Sequence, residues 1–144
     1  MNFTVITPVL NGGPLFQDCL ASVRREQSSG ERVEHIVLDG GSTDGSVALA
    51  SSMGARVIER PDLGLYERLD LGFAEAAEGL VTFIGADDLL APGCVPRVLA
   101  AHRDPSPVIG GVIDLAPPRT TVGTALYLCE FNQWLPGAPP GPMR

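Results

Sequence analysis

The sequence predicts an α/β sandwich: a mostly parallel central sheet flanked by helices. Short β-branched apolar runs alternate with segments of helical periodicity. The spacing leaves room for one helix between successive strands. Each strand stays apolar until it ends in a hydroxyl, a carboxylate or a tight turn.

Phe3-Thr4-Val5-Ile6 reads as a buried first strand, with Pro8 following it. Asn11-Gly12-Gly13-Pro14 is a turn, and Pro14 suits the first turn of a helix, where its missing N–H would go unpaired anyway. Leu15, Cys19, Leu20 and Val23 then recur at helical spacing until Ser28-Ser29-Gly30 ends the helix. Val33–Leu38 is the second strand. The loop Asp39-Gly40-Gly41-Ser42-Thr43-Asp44-Gly45 is rich in residues that tolerate positive φ or cap helices. Ser46–Met53 is a short helix and Ala55–Ile58 a third strand. Leu65–Glu78 carries a helical face through Leu65, Leu69, Phe73 and Ala77, and Gly79 closes it. Leu80–Ile84 is a fourth strand, ending in Gly85-Ala86-Asp87-Asp88. Pro92–Ala101 is a further helix, and Val108–Ile113 a fifth strand.

In open parallel sheets, ligands bind beyond the carboxyl ends of the strands. Thr7, Asp39, Asp87 and Asp88 fall there by chain order. Singly, each would serve as a cap or turn residue; together at one edge they point to a shared ligand. Asp87 and Asp88 are adjacent, so one is expected to face the cleft and hold a hard cation while the other holds the loop or reaches a sugar. A cation bridging a diphosphate would neutralise charge on a leaving group.

Composition narrows the classes. Hydrophobic residues make up 44% and charged residues 19% of 144, enough for one domain with a real core. The net charge of −7 argues against nucleic acid as a partner, because that binding replaces condensed counterions with Lys and Arg. It does not exclude anionic ligands, since a divalent cation or a helix N-terminus can reverse the local potential. Cys19, Cys94 and Cys129 show no CxxC spacing and read as reduced thiols of a cytosolic protein. No signal peptide or membrane-length apolar run is found, so any membrane association is expected to be peripheral, at the inner face. No G-x-G-x-x-G follows the first strand and no Walker A sequence occurs. Ser42 lacks a nucleophile-elbow context, and His35 and His102 lack metal-ligand companions, so both histidines read as structural.

Four ordered segments resemble family 2 glycosyltransferases. Val5-Ile6-Thr7-Pro8-Val9-Leu10-Asn11 is similar to their opening signature, and Cys19-Leu20-Ala21-Ser22-Val23 with Gln27 to their first helix. Glu34 to Ser46, through Asp39-Gly40-Gly41-Ser42-Thr43-Asp44-Gly45, is similar to the family's E-x-IV-x-D-G-G-S-T-D-G-T segment. Gly64 to Gly72 resembles its G-x-Y-D-A-M-N-K-G helix start, and Leu80 to Asp88 the strand entering its N-A-D-D or D-A-D-D motif.

The resemblance implies a GT-A fold, a Rossmann-like sandwich. It implies inverting, metal-assisted sugar transfer from a UDP- or GDP-sugar to a glycan or lipid-linked acceptor in polysaccharide biosynthesis. Thr7 and Pro8 match residues lining the nucleotide pocket, and Asp39 matches the carboxylate that reads the base. Gly85 and Ala86 would lie beside the ribose. Asn11, Gly41, Arg68 and Asp70 fall in the matched segments and complete the expected nucleotide-binding set. Asp87 matches the DxD aspartate that binds Mn²⁺ or Mg²⁺, with Asp88 beside it.

The sequence departs from the pattern at Gly85, where Asp or Asn is usual, and at Gly40, where a second Asp is frequent. It also departs at Glu67 and Asp70, which stand for Asp and Asn. The expected organisation is a nucleotide-sugar-binding domain over 1–115 and a short extension over 116–144, without the acceptor half that carries the general base. Asp114 and Glu130 lie in no recognisable motif, so the catalytic base is unassigned; dimerisation is one way to complete such a chain. Two rival readings are a nucleotide-sugar-binding remnant without turnover and a phosphotransfer receiver domain. The second wants a late-strand lysine, and all ten basic residues are Arg.

Overall fold

The computed structural model describes residues 1–28 and 30–102. Within them the elements run β1 (Asn2–Val9), α1 (Gly13–Gln27), β2 (Arg32–Asp39), α2 (Ser46–Ser52), β3 (Arg56–Glu59), α3 (Leu65–Glu75), β4 (Gly79–Phe83) and α4 (Cys94–Ala101). The strands form one sheet in the order β3-β2-β1-β4, and every pairing is parallel. The fifth strand, Asp114, Cys129, Glu130 and the boundary expected at residue 115 lie outside the described residues.

Crossover handedness explains the layers. The chain steps outward from β1 to β2 to β3, then returns past β1 to β4. Right-handed crossovers in opposite directions put their helices on opposite faces. Accordingly α1 and α2 pack one face, where Phe16, Cys19, Leu20 and Ala50 meet Val9 and Val37. α4 joins that face, Val95 clustering with Phe3, Val5 and Val23. α3 covers the other, with Leu69 and Ala76 against Ile6, Ile36 and Leu38.

Three expectations shift. β1 continues through Thr7 and Pro8 to Val9, pairing Thr7 with Val37 and Pro8 with Leu38. Proline is tolerated in this central strand because residues alternate in ladder direction. Val9 bonds toward β2 through Gly40 N, while Ile6 bonds toward β4 through Ile84 N. Pro8 shares the direction of Ile6 but lies beyond the last β4 rung at Ile6–Phe83, so no ladder bond needs its N–H.

In α1 the buried stripe is Phe16, Cys19, Leu20, Val23 and Glu26, and Leu15 is exposed. α3 ends at Glu75 and buries Arg68 and Gly72, leaving Leu65 and Phe73 exposed. Gly72 sets that rotation. A Cβ there would stand 2.8 Å from Leu38 Cδ1 and 3.0 Å from Ile6 Cγ2, so the helix backbone itself seats on the sheet.

Candidate functional site

The carboxyl edge of the sheet gathers the residues singled out above. Thr7 and Asp39 are fully buried near the ends of β1 and β2, and the Gly85–Asp88 turn follows β4. The strand order reverses between β1 and β4, the place where open parallel sheets put their ligands.

Asp39 folds its own loop. Its Oδ2 accepts the amides of Gly41 (2.7 Å) and Ser42 (2.9 Å). Its Oδ1 is buried with no hydrogen-bond partner. A buried acceptor left unpaired carries a desolvation penalty, and the structure holds it at the edge where a ligand donor would relieve that penalty.

Arg68 arrives from α3 with its guanidinium against Gly40. A Cβ at Gly40 would lie 2.6 Å from Nη1, so glycine there makes room for the arginine. Nη1 donates to Leu63 O at 2.8 Å, and Nε is buried without a partner. Asp70 lies two residues on, about 200° around the helix from Arg68, and is exposed.

Two loops are stitched together. Asn11, in left-handed backbone at φ 53, takes the Thr43 amide on Oδ1 (2.8 Å) and gives its own amide to Ser42 Oγ (2.8 Å). Gly12 N donates to Ser46 Oγ, and Gly13 N to Asp44 Oδ2. Asn11 and Asp44 thus fix the loop pair from within, and Gly41, at φ 99, makes the turn that Asp39 caps.

Asp87 and Asp88 are both exposed, and both reach back toward Gly85. Asp88 Oδ2 accepts Gly85 N at 2.9 Å, and Asp88 N donates to Gly85 O at 3.1 Å. A Cβ on Gly85 would meet Asp88 Oδ2 at 2.8 Å and Asp87 Oδ1 at 2.9 Å, so the two carboxylates converge on one point. Two converging carboxylates open to solvent fit part of the oxygen shell of Mg²⁺ or Mn²⁺, which leaves positions for substrate phosphates and water. Among the described residues no cluster of three or more His, Cys, Asp or Glu is placed to hold a metal unaided. Ala86 turns inward, packing with Ile84 against the α1 core.

Beneath the edge lies a polar cluster that buries Thr7, one of the expected nucleotide-binding residues, against His35, a pairing the sequence does not report. Thr7 Oγ1 sits 3.0 Å from His35 Nε2, both buried between sheet and α1. Burial lowers the His35 pKa to about 4, so the imidazole is neutral at pH 7. Cys19 Sγ donates to Gly85 O at 3.5 Å. Burial pushes its thiol up to about 12; the Thr7 hydroxyl opposes that, and the Asp88 and Asp87 charges add to it. Cys94 is free as well, its pKa also raised by burial. Glu26 was missed too, although an acid on the apolar stripe of a helix was a readable signal.

A family model described as Glycosyl transferase family 2 matches residues 4–129. A PGL/p-HBAD biosynthesis glycosyltransferase of Mycobacterium bovis is 33% identical over 118 residues, covering 76% of this chain and 45% of the relative. An uncharacterized glycosyltransferase of Mycobacterium tuberculosis is 36% identical over 109 residues, 73% of this chain and 41% of that one. The chain therefore spans less than half the length of these relatives. Glucosyl-3-phosphoglycerate synthase of M. tuberculosis, solved with Mn²⁺, UDP and glucosyl-3-phosphoglycerate, superposes with a TM-score of 0.55 at 29% identity, over 69% of this chain and 38% of that one. A mannosyltransferase of Pyrobaculum calidifontis, solved with GDP-Man and Mn²⁺, gives 0.64 at 22% identity over 79% and 36%, a likeness of fold. No helix among the described residues is long and apolar enough to cross a membrane.

Proposed function

The chain belongs to glycosyl transferase family 2, and on that premise we propose that it binds a UDP- or GDP-sugar at the carboxyl edge of its GT-A-type sheet and transfers the sugar to a glycan or lipid-linked acceptor. The observation that carries this reading is the pairing at one edge of two unlike features. Asp39 offers a buried, unpartnered carboxylate oxygen, and Asp87 and Asp88 offer a converging, exposed pair.

Each feature suits one part of the donor. A dry acceptor oxygen suits a ring N–H, present at N3 of uracil and N1 of guanine. Arg68, with Nε unsatisfied beside Gly40, brings positive charge to the same end of the sheet. The carboxylate pair would hold Mn²⁺ or Mg²⁺, which supplies charge neutralisation on the departing diphosphate. Transfer with inversion also requires a base on the acceptor hydroxyl. None of the described residues is assigned that role, and polysaccharide assembly, cytoplasmic location at the inner membrane face and dimerisation belong to the same proposal.

A second reading, donor binding without turnover, draws on Gly85, which leaves the edge without the acid usual there. Calorimetry with UDP and GDP, with and without Mn²⁺, tests the shared premise: binding to neither nucleotide sinks both readings. Release of nucleoside diphosphate from UDP- or GDP-sugars across an acceptor panel separates them. Metal-dependent binding with no release supports the second.

A further inference from the structure

One stripe of α1 holds the whole segment that follows β4. Cys19 Sγ reaches Gly85 O at 3.5 Å. Ser22 Oγ accepts Leu90 N at 3.1 Å and donates to Cys19 O at 2.7 Å. Arg25 Nη2 donates to Leu90 O at 2.6 Å. Glu26, 2% exposed, accepts Gly93 N on Oε1 at 2.9 Å and Val95 N on Oε2 at 3.1 Å. The chain is thus pinned at Gly85, at Leu90 and at the start of α4, and Asp87 and Asp88 span the gap between the first two pins.

A short helix usually caps itself with a local Ser, Thr, Asp or Asn. α4 has glycine at its N-cap, in left-handed backbone at φ 69, and makes no side-chain cap of its own. A buried carboxylate 67 residues away in the chain does that work. Delegating the cap to α1 ties α4, and the turn before it, to the helix that also packs under the donor edge. Leu90 and Val95 are buried in the same cluster as Val23 of α1, so the ties to the Leu90 and Val95 amides are buried and resist exchange with water.

We propose that Ser22 and Glu26 are positioning residues for the Asp87–Asp88 pair: the strap from α1 fixes where the two carboxylates present their oxygens to a divalent cation. The proposal rests on the donor-site reading above. Groups that orient metal-binding carboxylates contribute to metal affinity without touching the metal.

The test compares the full chain with Glu26→Gln and Ser22→Ala, probed with UDP and MnCl₂ by calorimetry. Gln keeps the size of Glu but sets an N–H against the Gly93 or Val95 amide, so one tie is lost; Ser22→Ala removes the tie to the Leu90 amide and leaves the Arg25 bond to the Leu90 carbonyl. The gain in UDP affinity on adding Mn²⁺ should fall about tenfold or more in Glu26→Gln, with metal-free UDP affinity unchanged. Hydrogen exchange supplies a second readout, independent of ligand. The amides of Gly85 and Asp88 make bonds that neither substitution touches, and they should exchange faster in both variants. An unchanged Mn²⁺ gain together with unchanged exchange overturns the proposal. So does an equal loss of metal-free and metal-dependent affinity, which would mark a merely structural role. If the unaltered chain shows no Mn²⁺-dependent binding, the donor-site reading fails instead, and the exchange rates decide the strap alone.

Discussion

At the scale of single residues, the strand ends beneath the edge carry polar groups placed where water is absent, Thr7 and Asp39 among them. His35 is the one whose consequence can be read by pH. Its imidazole touches Thr7 and is held neutral down to about pH 4 by burial. Above pH 6.5 the imidazole is neutral in both the folded and the unfolded chain, and contributes no pH dependence. Between 6.5 and about 4 only the unfolded chain takes the proton, so stability falls as pH falls through that window. The full loss is about 3 kcal/mol. Melting curves from pH 7.5 to 4 should therefore fall more steeply for the native chain than for His35→Gln. The difference between the two curves removes the shared carboxylate titrations, and parallel curves would refute a buried neutral imidazole. His35 was legible only as a structural histidine. Its partner Thr7 was placed beyond the strand, and the bond joins residues 28 apart in sequence, which no local pattern reports. Asp39, Asp87 and Asp88 were legible because strand ends in parallel sheets are where polar residues gather, whatever their partners.

At the scale of elements, strand cores were the easiest to read, because a buried parallel strand is a continuous apolar run. The placement of α1 and α2 opposite α3 follows from strand order, and strand order is not written in periodicity. Helix faces were harder. Leu65 and Phe73 marked a plausible apolar stripe on α3, yet Gly72 allows a closer approach than any side chain, and the helix rotates to take it. A pattern that counts apolar residues cannot weigh the benefit of having no side chain at all. Gly79 was likewise read as a helix stop, and it is the first residue of β4. At φ 152 a Cβ on it would lie 2.3 Å from the Asn2 carbonyl oxygen, across the β1–β4 pairing. Backbone has no rotamer with which to move aside. Gly79→Ala should therefore cost about 1–3 kcal/mol, with no gain in helix propensity to offset it. Urea unfolding measures that cost. A midpoint equal to the native chain's would mean that the strand end is free to shift.

At the scale of the whole molecule, the proposed donor site raises the question of how a chain of net charge −7 would attract a diphosphate. Helix N-termini are the usual metal-free answer. In this fold all four described ones are taken by the chain's own carboxylates. Asp44 accepts Gly13 N of α1 and Ser46 N of α2, Glu67 accepts Gly64 N at α3, and Glu26 holds α4. The acidic composition thus serves the helices, and it sets a negative charge at each place where a bare diphosphate would be cradled. Among the described residues, the edge keeps Arg68, largely buried against Gly40, Arg60, whose guanidinium is paired with Asp62, and a carboxylate pair that repels phosphate unless a cation sits between them. Nucleotide binding should then be tightly coupled to the metal. UDP at a hundred times its dissociation constant in Mn²⁺ should stabilise the chain by about 2.7 kcal/mol. That corresponds to a rise in Tm on the order of 10 °C for a domain of this size. EDTA should cut the rise to a small fraction, leaving only the weak metal-free affinity, and Asp87→Asn should reduce it in Mn²⁺ without altering the melting of the free protein by more than a degree or two, since Asp87 is exposed. An equal rise in EDTA would show that some other group holds the diphosphate. It would separate the base contact proposed for Asp39 from the cation role proposed for Asp87 and Asp88.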